Sequence, residues 1–261
     1  MTTEPVLLRI EDGIARMRFN RPERLNAMDM ELVAGFARAV ETVLADDAVR
    51  VIVVSAEGRA FVAGGDLTYF DRAEDRGAAA HELIGPMHAV VKALAASPKL
   101  TIGSVKGPVA GAGMSLALGF DFLVAAENTV FNLAYARIGT VPDCGASYLL
   151  PRLIGSRRAL ELALLSESVD AAEALRLGLV NRVVPLDDLE VETERLADRL
   201  AKGATIAMGR TKLLMQQAFD TSFADQLDAE QNAFAECART EDFGGAVSAF
   251  LAKRPYTFTG R

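Results

Sequence analysis

The stretch Lys106-Gly-Pro-Val-Ala-Gly-Ala-Gly-Met-Ser-Leu-Ala-Leu118 decides how the rest of this chain is read. It follows Leu100 to Val105, a short apolar run with the length of a buried strand. It then supplies Gly107, Gly111 and Gly113 before turning apolar again, as a helix would. Glycines at this density let backbone amides approach a ligand with no side chain between. The free N–H groups of a helix start, at the positive end of its dipole, suit a developing oxyanion. The stretch is therefore either half of an oxyanion hole or a tightly packed strand-to-helix turn with no ligand.

Arg59 to Thr68, RAFVAGGDLT, repeats the pattern: a strand end, a glycine pair and a helix start at Asp66. Two such junctions can each offer one N–H to the same oxygen, which is what an oxyanion hole requires. Together with RPERLNAMD at Arg21 to Asp29, they make the chain resemble the crotonase (enoyl-CoA hydratase/isomerase) superfamily nearly end to end. That resemblance implies an α/β fold, a spiral of ββα units followed by a C-terminal all-helical part that packs trimers together.

The chain has 261 residues, half of them hydrophobic, and a net charge of −7. Its pI of about 5.0 argues against a broad nucleic-acid surface, without excluding a local basic pocket for phosphates. Cys144 and Cys237 give neither a disulfide framework nor a metal cluster and read as free thiols in a reducing, cytoplasmic setting. The start, MTTEPVLLRIEDG, lacks the pattern of a secretory signal. Pro108 to Ala126 is weakly polar, but Asp121 and its glycines mark it as a globular core element.

Along the chain, Asp12-Gly13 between two short runs predicts a hairpin. Asp29 predicts an N-cap, with Leu32, Val33, Phe36, Val40 and Val43 at helical spacing behind it. Val49 to Ser55 reads as a strand buried on both faces. Gly77 to Ser97 reads as helical with a kink or restart at Pro86. It carries both histidines, His81 and His88, read as surface or partly buried residues with no Ser or Cys poised beside them. Asp121–Ala126, Thr129–Leu133 and Leu179–Val184 read as strands, and from Asp187 the pattern is helical only. The division falls as residues 1–195 for the core with the acyl-CoA site and 196–261 for the helical region.

The resemblance assigns residues by motif. The oxyanion donors are the N–H groups of Gly65 and Ala112. Arg24, Ala27, Ala63, Asp66 and Leu67 take coenzyme A, Arg24 at its phosphates, with Phe234 and Lys253 reaching it from a neighbouring subunit. The hydratases of this family place two glutamates across the substrate; the matching positions here hold Ser115 and Tyr135. Adding water needs an activated water and a delivered proton, and a serine and a tyrosine are poor substitutes for paired carboxylates. Val141-Pro142-Asp143-Cys144-Gly145 resembles the segment of the enoyl-CoA isomerases in which a single acid moves a proton between C2 and C4. The expectation is an enoyl-CoA isomerase with Asp143 as general acid and base. Hydratase, dehalogenase, thioester hydrolase and a non-catalytic acyl-CoA-binding protein remain as alternatives. No metal and no cofactor beyond the coenzyme A of the substrate is implied, nor a nucleic-acid or membrane partner. Assembly is expected as a homotrimer or a dimer of trimers. Lys106 stands where relatives carry smaller polar residues, and the sequence gives no reason for it.

Overall fold

The computed structural model describes residues 4–261. Strands β1 (Val6–Glu11) and β2 (Ile14–Phe19) form the hairpin, with Glu11 opposite Ile14 and Asp12-Gly13 both at positive φ. That turn geometry matches the right-handed twist of the strands. Asp29 caps α1 (Met30–Ala45), accepting the Leu32 N–H at 2.9 Å. The chain returns as β3 (Val51–Ala56), parallel to β2. Alternate residues of β3 enter different cores: Val51 and Val53 pack under α8 (Leu189–Ala201), while Ile52 and Val54 join the cluster with α1. A strand covered on both faces must be apolar throughout, hence the unbroken run in the sequence.

Helix α2 (Leu67–Arg72) starts at the Asp66 cap. It is followed by α3 (Arg76–Ala96), which runs through Pro86 without restarting. Proline removes one helical hydrogen bond, but Leu83, Met87, Val90 and Leu94 keep one buried stripe on both sides of it. Then β4 (Leu100–Val105) leads into β5 (Pro108–Ala110) and the short helix α4 (Ala112–Ala117). The unit repeats as β6 (Phe122–Ala126), β7 (Val130–Asn132), a 3-10 turn at Tyr135–Ile138, and α5 (Ala146–Ile154). First strands enter one sheet and second strands another, so each unit advances the ββα spiral. The large sheet has the order β1-β2-β3-β4-β6-β9, where β9 is Arg182–Val184, and it is parallel beyond the hairpin. The small sheet is β5-β7-β8, with β8 at Val169–Asp170. Neither β5 nor β8 is legible in the sequence: β5 lies inside the glycine-rich stretch, and the two residues of β8 carry no periodicity.

Helices α6 (Ser156–Leu165) and α7 (Ala171–Leu177) follow α5, with Gly178 in the left-handed region ending α7. The residue-195 boundary falls inside α8, whose Leu196, Ala197, Leu200 and Ala201 pack on the large sheet. Beyond it come α9 (Thr205–Gln217), α10 (Phe223–Ala238) and α11 (Glu241–Leu251). Lys212 ties α9 to the body. Its ammonium donates to the carbonyls of Leu94 and Lys99 and pairs with Asp121 at 3.0 Å. Asp242 holds the C-terminal tail, accepting from the N–H groups of Thr259 and Gly260, each at 2.7 Å. Among the described residues no helix is long and apolar enough to cross a membrane.

Candidate active site

The loop at Arg21–Asp29 is folded on itself before it meets anything else. Asn26 is fully buried: its amide N–H groups donate to the carbonyls of Glu57 and Ala60, and its Oδ1 accepts the Arg21 N–H. Leu25 and Asn26 are both left-handed, a conformation that asparagine tolerates better than most residues. The loop then zips onto the first glycine junction. Ala63 donates to Leu25, Met28 to Gly64, and Asp66 back to Met28. This brings Arg24, Ala27, Ala63, Asp66 and Leu67 together. Arg24 is half exposed and only loosely paired with Asp29, at 3.6 Å. Asp66 also caps α2, accepting the Thr68 N–H.

The second junction lies against the first. Val62 and Val109 form a parallel bridge, and the Ala110 N–H donates to Val62 O at 2.9 Å. The glycines divide their work differently from the expectation of ligand access. A Cβ on Gly107 would lie 2.0 Å from Arg59 O, and one on Gly113 would lie 2.3 Å from Val62 O. Those two admit the neighbouring backbone, not a ligand. Gly111 adopts φ 50 and ψ −123 at the start of α4, and a Cβ there would touch Gly64 Cα at 3.5 Å. The helix start carrying Ala112 therefore sits beside the Gly64-Gly65 turn. Among the described residues, the N–H groups of Gly65 and Ala112 donate to no protein acceptor. A first-turn helical N–H has no partner in its own helix.

Ser115 and Tyr135 meet next to that helix start. Ser115 is fully buried on the first turn of α4, and its Oγ lies 3.2 Å from Gly111 O and 2.9 Å from the Tyr135 hydroxyl. The Tyr135 hydroxyl donates to Asp143 Oδ1. Burial pushes the Tyr135 phenol well above its usual range, and the charge of Asp143 and the bond to it add to this, while the Ser115 bond opposes it. Tyr135 is thus a neutral donor. Asp143 is half-buried. Next to it the buried Cys144 thiol is also raised, first by burial and then by the Asp143 charge, so it is no nucleophile. His88, read from the sequence as having no cysteine beside it, accepts the Cys144 N–H on Nε2 at 3.1 Å. It fixes the backbone one residue beyond Asp143. A histidine on a helix with no reactive side chain near it in sequence gave no signal for that role, and neither did Asn26 within RPERLN.

The remaining sequence candidates lie apart. Phe234 on α10 is exposed and stacks edge-on with Phe243 at 5.9 Å; Lys253 follows α11. Neither makes a side-chain hydrogen bond or ion pair with the 21–29 or 63–67 segments of its own chain among the described residues. Lys106 lines a polar cavity of about 200 Å³ with Arg16, Arg18, Ser104, Thr193 and Glu194, beneath α8. Its side chain serves that face of the sheet.

Gly65 and Ala112 offer backbone N–H groups, and Ser115 and Tyr135 link the peptide that carries the Ala112 N–H to a hydrogen-bonded carboxylate, parts that suit enolate chemistry on a carbonyl compound. The sequence profile of the enoyl-CoA hydratase/isomerase family matches residues 9–261. The chain is 37% identical to the 1,2-epoxyphenylacetyl-CoA isomerase of Escherichia coli K12, over 99% of each chain. It is 32% identical to the trans-2-decenoyl-[acyl-carrier-protein] isomerase of Streptococcus mutans over the whole length of both. A solved enoyl-CoA hydratase structure from Polaromonas sp. JS666 superposes with a TM-score of 0.89 at 32% identity, covering 95% of this chain and 97% of that one. The chain belongs to the enoyl-CoA hydratase/isomerase family, within the crotonase superfamily. An acyl-CoA thioester substrate is consistent with that membership, and relatives of both reaction types are among its matches.

Proposed function

We propose that this protein is an enoyl-CoA isomerase, moving a double bond from the 3,4 to the 2,3 position of an acyl-CoA. The observation that carries the reading is the pairing of Asp143 with neutral hydroxyls, Tyr135 and then Ser115, at the two positions where a hydratase needs carboxylates. Asp143 takes a proton from C2, and the C–H electron pair moves into the thioester carbonyl. The N–H groups of Gly65 and Ala112 hold the resulting oxyanion, each supplying about 3–4 kcal/mol. Asp143 returns the proton at C4, so no water is consumed. Tyr135 fixes the carboxylate rather than exchanging protons with substrate, since its phenol holds its proton.

Arg24 with Ala27, Ala63, Asp66 and Leu67 forms the coenzyme A end of the site, Arg24 facing the phosphates. Phe234 and Lys253 reach coenzyme A from a neighbouring subunit of a homotrimer or dimer of trimers. Exposed Phe223, Leu227, Phe234, Phe250 and Leu251 on α10 and α11 support burial of those helices in an assembly.

The test follows the conjugated thioester absorbance in the ultraviolet. 3-Hexenoyl-CoA gives rising absorbance, 2-hexenoyl-CoA gives no loss, and Asp143→Asn lowers the first rate by about 10²- to 10⁴-fold. Loss of absorbance with 2-hexenoyl-CoA means hydration and overturns the reading. Binding of acyl-CoA with no turnover by any variant points instead to a binding protein.

A further inference from the structure

The hydrogen-bond chain from Asp143 ends on the carbonyl of the same peptide unit that carries the Ala112 N–H. Ser115 Oγ lies 3.2 Å from Gly111 O, and Gly111 C=O and Ala112 N–H are the two ends of one amide. The protons along this chain can be counted. Tyr135 has one hydroxyl proton, and it goes to Asp143 Oδ1. The 2.9 Å contact between Ser115 and Tyr135 therefore takes the Ser115 proton while Asp143 is charged. Among the described residues, Gly111 O then accepts only the Ser115 backbone N–H, at 3.0 Å. Ser115 has a single proton and two acceptors, and Ser115, Gly111 and Tyr135 are all buried.

We propose that Ser115 and Tyr135 form a relay that strengthens the oxyanion donor at Ala112 when Asp143 becomes protonated. This rests on the reading of Asp143 as the base and Ala112 as a donor. A carboxylate pulls the Tyr135 proton and makes the Tyr135 oxygen a strong acceptor for Ser115. Once Asp143 has taken the substrate C2 proton on its other oxygen, Oδ1 is a neutral carbonyl oxygen and pulls the Tyr135 proton less, so the Tyr135 oxygen becomes a weaker acceptor for Ser115. The Ser115 proton then turns to Gly111 O. A donor on the carbonyl end of an amide polarises its N–H end, because hydrogen bonds in a chain reinforce one another. The Ala112 N–H is thereby strongest while the enolate oxygen is in front of it. No proton changes heavy atom along the relay; the Ser115 hydroxyl only rotates. The C2–H bond breaks, the Asp143 O–H bond forms, and return of that proton at C4 resets that rotor. Ser115 and Tyr135 are positioning residues, with no contact to substrate required of either.

The probe is butyryl-CoA carrying ¹³C at the thioester carbonyl, which binds without reacting, read by its infrared carbonyl stretch. Asp143→Asn imitates the neutral acid, since its amide oxygen carries no charge with which to pull the Tyr135 proton. Wild type lowers the stretch relative to the thioester in water, and Asp143→Asn lowers it further. In a Ser115→Ala background that additional shift disappears, while any direct effect of the lost charge remains. A Tyr135→Phe background removes it likewise. In turnover of 3-hexenoyl-CoA, Ser115→Ala reduces kcat by about tenfold, a fraction of the 10²- to 10³-fold carried by a whole donor, with KM little changed. If the extra shift from Asp143→Asn is equal with and without Ser115, the relay is overturned and the oxyanion hole stands. If the bound carbonyl is not shifted from its value in water in any of the proteins, the oxyanion reading itself is overturned, and the relay with it.

Discussion

Gly113→Ala is the substitution that most directly tests how the two glycine junctions make one site. A Cβ at this position would stand 2.3 Å from Val62 O, 2.6 Å from Val62 Cβ and 2.9 Å from Val62 C. Two of these are backbone atoms, pinned by the Ala110 N–H donating to Val62 O and by the Val62–Val109 bridge. Relief requires the α4 start and the 62–65 segment to separate by about 1 Å, and overpacking of this kind costs about 2–3 kcal/mol. For a domain of this size that lowers the melting temperature by roughly 5–10 °C. The same separation moves the Ala112 N–H away from the Gly65 N–H, and a misplacement near 1 Å costs on the order of 10²-fold in rate. Calorimetry and turnover of 3-hexenoyl-CoA measure the two effects side by side. Gly85→Ala is the control: it lies inside α3 with nothing within 4 Å of an added Cβ, so it stabilises by about 0.5–1 kcal/mol. A Gly113→Ala protein that melts with wild type would refute the close-packing argument. One that melts lower with undiminished kcat would refute the link between this contact and the donor pair.

Lys212→Met leaves the partly buried Asp121 without its cation and removes the ammonium's contacts to the carbonyls of Leu94 and Lys99. It destabilises by about 3–5 kcal/mol in denaturant unfolding, whereas Lys202→Met, at an exposed pair, changes stability by under about 0.5 kcal/mol. Burial opposes charge on Asp242, but the bonds from Thr259, Gly260 and Tyr256 outweigh it and hold its carboxyl below the usual range. Because the folded value is depressed, its contribution is complete above the unfolded value of about 3.9 and fades as pH falls through the folded one. Carboxypeptidase release of the tail therefore rises as pH drops below about 4, and Asp242→Asn flattens that dependence. Thiol alkylation at pH 8 labels the half-buried Cys237 well before Cys144, whose thiol is buried and raised; equal rates would contradict the packing around Asp143.

The sequence by itself determined the local devices. Asp29, Asp66, Asp170, Ser222 and Thr240 cap helices where the chain has them, because a cap depends on residues within one turn. The Asp12-Gly13 turn and the doubly buried β3 are equally local, and the glycine junctions were legible as motifs. The tertiary structure alone decided what those motifs touch. Gly107 and Gly113 serve the approach of the 59–62 backbone, an encounter between segments far apart in the chain. The bonds of Ser115 and Tyr135 to each other, of Tyr135 to Asp143, and of His88 to the Cys144 N–H join α4, the turn after β7, the loop before α5, and α3. No spacing in one sequence encodes them. Sequence patterns report neighbours along the chain, whereas a relay of hydroxyls ending on a particular amide exists only once distant segments are packed against it.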